Sequence, residues 1–289
     1  TMWGSPITTW QNLAKTKNYG VEATITSQNI QKKDFTWSTT LTATWARERI
    51  VSMPIDAGYY LDTSNGKNLF VGEAINSFYG YKYAGIWSTD EADEAAKYGS
   101  EPGLIKIETK DKDGDGGVHP YGTDDRQVLG HSNPDWVLGF TNNFRYKGFD
   151  LSIHTMARLG QMIQSDMLGR YTASEDITVN QIAGTDYWTE TNQGAYFPRA
   201  GSAKKQAAYY AALTYVDGSF FKIKNITLGY TLPTELVRKA FMEKVRFYFT
   251  AYNPFILCKS ILKDTDPETN GSDSFPTYRE FVFGVNVTF

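Results

Sequence analysis

FVFGVNVTF, the stretch from residue 281 to residue 289, decides the fold. Every second side chain in it is apolar, namely Phe281, Phe283, Val285, Val287 and Phe289. Because side chains alternate between the two faces of a strand, this period of two predicts a β-strand with one apolar face. Strands of outer-membrane barrels have this pattern, with one face toward lipid and the other toward the barrel interior.

The composition fits that interpretation and excludes other classes. The chain has 289 residues, a net charge of −3 and a pI near 5.7, so no nucleic-acid partner is expected. Aromatic residues make up 15% of the chain, which suits a barrel with aromatic girdles or a sugar-binding surface. The sequence has no apolar run of the roughly 18 residues that a membrane helix needs.

Alternation predicts seven strands in all. They lie at about residues 19–28, 34–47, 135–147, 149–160, 219–231, 244–253 and 277–289. The clearest places Phe35, Trp37, Leu41, Ala43 and Trp45 on one face, against a row of threonine and serine on the other. In the segment 219–231 the apolar phase slips near Asn225, which predicts a β-bulge.

Short and long connections alternate along the chain. The short ones lie near residues 31–33, 146–148 and 233–243, and the long ones near 48–134, 161–218 and 254–276. Tight periplasmic turns and extended extracellular loops give an outer-membrane barrel this asymmetry. We therefore expect an all-β fold, part of a large antiparallel transmembrane β-barrel with long extracellular loops.

Seven strands leave a question, because bacterial membrane barrels close with an even number of strands, eight or more. The aromatic stretch 71–87 is a candidate for a further hairpin. A soluble β-sandwich that binds glycans is the alternative from another class. It would bury its apolar rows against each other, whereas a barrel would turn them outward.

Several phrases resemble one family, the SusC/RagA-type TonB-dependent transporters. The most specific is VDGSFFKIKNITLGYTLP at residues 216–233, and TKNYGVE at 16–22, GHSNP at 130–134 and DTDPE at 264–268 follow the family in the same order. The similarity extends from about Lys15 to Phe289.

The resemblance implies a barrel of twenty-two strands with an N-terminal plug, in the outer membrane of a Gram-negative bacterium. It implies import of oligosaccharides or peptides, energised through TonB, with a SusD-like surface lipoprotein as partner. We recognise no plug, TonB-contacting segment or early barrel strands, so residues 1–289 are expected to form the C-terminal part of the barrel. Its last strand, with the apolar side chains 281 to 289, is expected to carry the barrel-insertion signal. A non-transporting structural barrel remains the second alternative.

One loop segment is a candidate calcium site. In DKDGDGG, residues 111–117, carboxylates alternate at Asp111, Asp113 and Asp115, and glycine follows at the sixth position. Carboxylates at alternate positions converge on one centre in calcium loops, and every ligand is a hard oxygen. The twelfth position holds Gly122 rather than glutamate, so Asp125 is the nearest replacement. A hydrated acidic turn without metal is the competing interpretation.

Aromatic clusters in the long connections are candidates for contact with substrate or partner. We select Trp87, Tyr187, Trp188, Tyr209 and Tyr210, because flat rings pack against sugar rings and peptides. Packing within the loops, or against the lipoprotein, would use the same residues. No nucleophile, base and orienting group are assembled by spacing, so no enzymatic activity is expected.

Overall fold

A computed structural model describes residues 14–61, 68–111, 114–171, 184–202, 206, 208–262 and 265–289. Seven long strands form one antiparallel sheet with the spatial order β1-β2-β9-β10-β13-β14-β15. They are β1 (Lys15–Gln31), β2 (Phe35–Ser52), β9 (Trp136–Tyr146), β10 (Phe149–Leu159), β13 (Phe220–Thr231), β14 (Lys244–Leu257) and β15 (Glu280–Thr288). Neighbours in the chain are neighbours in the sheet, as short connections favour.

The seven predicted strands are thus confirmed, with changed boundaries. β2 continues to Ser52 and β14 to Leu257, so the long connections begin several residues later than predicted. The register shifts between Ile223 and Asn225 against both neighbouring strands, which confirms the predicted bulge and leaves Lys224 without a register partner. Among the described residues the sheet is open, with β1 and β15 as its edges. The count of twenty-two strands therefore stays an expectation.

The described parts of the long connections contain eight short strands. They are β3 (Tyr59–Leu61), β4 (Asn68–Phe70), β5 (Ser77–Gly80), β6 (Tyr83–Ile86), β7 (Ile105–Ile107), β8 (Gln127–His131), β11 (Met162–Gln164) and β12 (Tyr215–Asp217). The expected extra hairpin at 71–87 is wrong, because β5 pairs with β8 and β6 pairs with β7 instead of with each other. Both pairs belong to small sheets outside the seven-stranded one.

The helices are short. They are α1 (Ala92–Lys97), α2 (Asp166–Tyr171) and α3 (Thr234–Val237). Single 3₁₀ turns occupy Thr89–Glu91, Thr123–Asp125, Tyr210–Thr214, Arg238–Ala240, Ser260–Leu262 and Pro267–Thr269. In the part of the chain that the structure describes, no helix has the length and apolar character needed to cross a membrane.

The buried core lies in the long connections and not against the sheet. Side chains from 81 to 107, from 163 to 168 and from 188 to 216 pack together around Ile105, Leu213 and Leu262, each 0% exposed. The apolar face of the large sheet is open, and Phe283 at its edge is 71% exposed. Within the described residues no second large sheet covers that face, which contradicts the β-sandwich alternative.

Candidate functional site

Two rows of aromatic side chains run across the apolar face of the sheet. Near the short connections the register aligns one ring from each of five adjacent strands, in the order Phe35, Tyr146, Phe149, Tyr230 and Phe247. The ring centroids of Phe35 and Tyr146 are 6.5 Å apart, and those of Phe149 and Tyr230 are 4.4 Å apart. This row, the aromatic belt, borders the face at one end.

A second row lies near the long connections. Trp45 pairs with Trp136, whose ring centroid is 6.4 Å away, and Tyr19 packs edge-on against Trp45 at 5.8 Å. On β2 the two rows are ten residues apart, from Phe35 to Trp45, and on β9 from Trp136 to Tyr146. At about 3.3 Å per residue and a tilt of about 40°, ten residues give a height of roughly 25 Å.

The apolar face also carries polar side chains, whose bonding to each other the periodicity did not indicate. Asn142 interrupts the row of β9, and its Oδ1 accepts hydrogen bonds from Trp37 Nε1 and from Thr39 Oγ1, each at 3.0 Å. Thr39 in turn accepts a hydrogen bond of 2.6 Å from Asn29 Nδ2. The polar atoms thus bond to each other across three strands, as groups on an apolar surface must.

The opposite face carries charged pairs. Arg246 donates to Asp150 through two bonds, from Nε at 2.9 Å and from Nη2 at 2.5 Å. The pair crosses β13 above Gly229, where a Cβ would lie 2.6 Å from Asp150 Oδ1 and would also meet Arg246 Nη2. A cavity of about 720 Å³ on this face, near the short connections, is lined by both residues together with Arg145 and Lys244.

A lysine cluster fixes the connection between β14 and β15 to the charged face of β13. Lys222 is 1% exposed and donates to Asp266 and, at 2.7 Å, to Glu268. Lys224, the residue at the bulge, donates to both oxygens of Glu268 at 2.7 and 2.9 Å. Burial raises the pKa of Glu268, but the hydrogen bonds from the two lysines outweigh it and hold that pKa below its usual range.

Trp87, one of the predicted contact residues, lies inside the loop unit and is 1% exposed. Its Nε1 donates to Tyr121 Oη at 3.1 Å, and Lys106 Nζ lies 4.1 Å from its ring centroid. A hydrogen bond from Lys106 lowers the pKa of Glu91, so the lysine joins ring and carboxylate. Burial raises the pKa of Tyr121 to about 12. These contacts give Trp87 a packing role in the described structure.

Of the other four predicted contact residues, the tryptophan is buried and the three tyrosines are partly exposed. Trp188 is 7% exposed, and no group among the described residues accepts a hydrogen bond from its buried Nε1. Tyr187, Tyr209 and Tyr210 are half-buried, so part of each ring remains accessible. Tyr210 Oη bonds to Ser202 Oγ at 2.9 Å. The sequence did not indicate that the tryptophans are buried and the tyrosines partly exposed, because burial here depends on how distant parts of the chain pack together.

A cleft of about 420 Å³ opens beside this cluster. Tyr98, Tyr121 and Tyr209 form its aromatic walls. The ring centroid of Tyr121 is 5.6 Å from that of Tyr98 and 5.5 Å from that of Tyr209. Ser100 and Glu101 add polar groups. Tyr98 and Tyr121 were not selected from the sequence. Their signal was the same aromatic enrichment of the loops, without a spacing that singled them out.

Three of the four predicted calcium ligands are described, and each of them contacts a protein group. Asp115 Oδ2 lies 2.6 Å from His119 Nδ1, and Asp125 Oδ1 lies 2.9 Å from His119 Nε2, so an imidazole occupies the space between the two carboxylates. Asp111 Oδ1 accepts a hydrogen bond from the amide of Gly116. Asp113 lies outside the described residues, among which no group of three potential ligands is placed to hold a metal.

Comparison with known proteins agrees with this geometry. The chain is 30% identical to TonB-dependent receptor P3 of Formosa agariphila over 96% of its own length and 29% of that protein. It is 28% identical to the TonB-dependent receptor SusC of Bacteroides thetaiotaomicron, over 96% of the chain and 27% of SusC. The chain is a homologue of SusC/RagA-type TonB-dependent receptors. No family model matches it.

Solved structures show the same fold for this SusC/RagA-type homologue. The RagAB peptide transporter superposes with a TM-score of 0.76 at 22% identity, over 96% of this chain and 30% of that one. The open-open state of the RagAB peptide importer gives 0.75 at 23% identity. The homologue therefore spans about 30% of the length of its relatives, which is consistent with a C-terminal segment of such a receptor.

Proposed function

We propose that this chain forms a stretch of barrel wall, with its outer loops, in a nutrient importer of a Gram-negative outer membrane. The observation that carries the proposal is the pair of aromatic rows on one open apolar face. Their separation of roughly 25 Å equals the height of the apolar band of outer-membrane barrels, whose two borders are aromatic girdles. The sheet edges β1 and β15 are then continued by the remaining strands of the barrel.

The names of the relatives support the transport role and its partners. SusC and receptor P3 are TonB-dependent receptors, and RagAB is a peptide importer. By this analogy the complete receptor takes TonB-derived energy through a plug, works with a SusD-like lipoprotein above the loops, and imports an oligosaccharide or a peptide. The long connections face the exterior and the short ones face the periplasm.

The loop unit is our candidate for contact with substrate or lipoprotein. Its accessible aromatic surface comprises parts of Tyr187, Tyr209 and Tyr210 and the walls of the cleft between Tyr98 and Tyr121. Trp87 and Trp188 act from inside, since they hold the shape of this surface. Rigid aromatic anchors in a polar surrounding are typical of interface hot spots.

The last strand is our candidate for the barrel-insertion signal. Phe281, Phe283, Val285 and Val287 are all exposed on the apolar face, and Phe289 is 83% exposed. This surface is therefore accessible to another protein before the barrel closes.

An uptake experiment tests the proposal. The complete receptor is expressed with Tyr209→Ala or with Tyr60→Ala, which removes an exposed loop tyrosine that does not line the cleft. Membrane fractionation and growth on single oligosaccharide or peptide sources are measured beside a deletion strain. We expect the receptor in the outer membrane, a growth defect of the deletion strain on one source, and slower growth with Tyr209→Ala only. Normal growth of the deletion strain on every source would favour a structural barrel.

A further inference from the structure

The turn between β13 and β14 exposes two large apolar side chains at the end of the sheet with the short connections. Phe241 is 93% exposed, and Leu236 on α3 is 56% exposed. The other two short connections, at 32–34 and 147–148, contain only polar or charged residues and glycine. Exposed apolar side chains that form a cluster mark a surface that contacts something else.

The backbone of this turn holds Phe241 in an unfavourable conformation. Phe241 has φ of +59° in the left-handed region, which bulky residues rarely adopt. The turn is fixed by hydrogen bonds from the amide of Phe241 to Arg238 and from the amide of Met242 to Val237. Glycine or asparagine would suit this position better, so the local backbone gives no reason for a phenyl ring here.

The turn folds over the apolar face of the sheet. Val245 pairs with Val287 and shares its face, yet Val245 is 5% exposed whereas Val287 is 42% exposed. α3 packs against β14, and its Val237 is 3% exposed. The charged cavity on the opposite face includes no residue from α3 or Phe241. The buried valines therefore place α3 on the side of the aromatic rows.

The position and charge of the turn indicate its partner. Phe247 is the member of the aromatic belt on β14, and Val245 lies two residues before it, on the side of the turn. Arg238 and Lys239 are exposed between the two apolar side chains. A short segment with apolar and basic side chains, at the height of an aromatic belt, fits the boundary between acyl chains and phosphate groups.

We propose that the segment from Leu236 to Phe241 is a lipid anchor. Leu236 and Phe241 insert into the periplasmic leaflet beside the barrel wall, and Arg238 and Lys239 contact the phosphates of its phospholipids. The inference rests on the proposed membrane position of the sheet. It adds a specific lipid contact that fixes the height of the wall in the bilayer.

Spin-label accessibility tests this anchor in the complete receptor, with native cysteines replaced, in vesicles of phosphatidylethanolamine and phosphatidylglycerol. Nitroxides are attached at Leu236→Cys, Phe241→Cys, Lys33→Cys and Phe283→Cys. Access to oxygen, which concentrates in lipid, is compared with access to a water-soluble nickel complex. We expect lipid-type accessibility at 236, 241 and 283 and water-type accessibility at 33, a turn residue at the same end of the sheet.

The outcomes separate the two proposals. Water-type accessibility at 236 and 241 with lipid-type accessibility at 283 would overturn the anchor alone. Water-type accessibility at 283 as well would overturn the membrane wall. Exclusion of both reagents at 236 and 241 would show a protein partner and would also overturn the anchor.

A second variant tests whether the phenyl ring of Phe241 holds the segment in the lipid. Phe241→Asp is expected to move the label at 236 toward water-type accessibility. The control is Phe275→Asp, which changes a phenyl ring that is 78% exposed in the connection between β14 and β15. This control is expected to leave the accessibility at 236 unchanged. An unchanged label at 236 in the Phe241→Asp variant would contradict the proposal.

Discussion

At the scale of single residues, glycines decide whether charged pairs can cross the sheet. The Asp150–Arg246 pair spans β10 to β14 because Gly229, on the strand between them, has no side chain. Gly284 leaves room for the ring of Tyr248 on the adjacent strand, whose Cε1 would lie 2.6 Å from an added Cβ. The Asp150–Arg246 pair joins strands that are neighbours only through a third strand.

Gly229→Ala should separate this pair. We expect the free energy of unfolding to fall by about 1–3 kcal/mol, because the two charged groups must move apart and lose the hydrogen bonds between them. Urea unfolding of the complete receptor in vesicles measures it. Gly194→Ala is the control, since nothing lies within 4 Å of a Cβ at Gly194. Equal stability of the two variants would contradict the argument.

The Glu268 cluster makes the last long connection sensitive to acid. Because the folded state lowers the pKa of Glu268, its ionised form adds stability above the unfolded value of about 4.3, and this stability is lost as the pH falls through the folded pKa. We expect proteolysis of residues 258–279 to accelerate below about pH 4.3. Glu268→Gln should remove this acid step, whereas Glu190→Gln in another connection should retain it.

At the scale of elements, each long strand has two faces with different surroundings. Leu41 and Thr40 are adjacent on β2, about midway between the aromatic rows, and they lie on opposite faces. Apart from Val245 beside α3, the large apolar side chains of this face are exposed or half-buried, and no second large sheet of the described residues covers them. A strand of this kind is stable where lipid covers one face.

Leu41→Lys and Thr40→Lys test that difference on one strand. A lysine on the lipid face near the bilayer midplane costs about 2–4 kcal/mol, whereas one on the interior face costs little. We expect the folded fraction in vesicles, measured by heat-modifiable migration in gels, to fall strongly for Leu41→Lys only. Similar losses for both would mean that the two faces have similar surroundings.

At the scale of the whole molecule, the sheet and the loop unit are stabilised in different ways. The sheet depends on its hydrogen-bond ladder and on the medium outside it. The loop unit has a protein-like core, in which Gln206 joins distant segments by bonding the amide and the carbonyl of Ile105 at 2.6 and 3.3 Å. A change in this core should therefore act on the loops first.

Phe197→Ala tests this separation. Phe197 is 3% exposed in the loop core, and removal of a buried phenyl ring costs about 3–5 kcal/mol. We expect faster hydrogen exchange in the segments around β6, β7 and β12, with unchanged protection in β2 and β9. The control Tyr60→Ala, at an exposed loop position, should change neither. Loss of protection in β2 as well would show one cooperative unit.

The sequence by itself determined the seven long strands, their apolar faces, the bulge near Asn225 and the family resemblance, because a period of two and short turns are local properties. Only the tertiary structure decided which loop aromatics are buried, that His119 lies between Asp115 and Asp125, and that Asn142 bonds to Trp37 and Thr39. These contacts depend on how separate strands and loops pack together, so no local sequence pattern predicts them. The same holds for the turn at Phe241, whose side of the sheet follows from the burial of Val245.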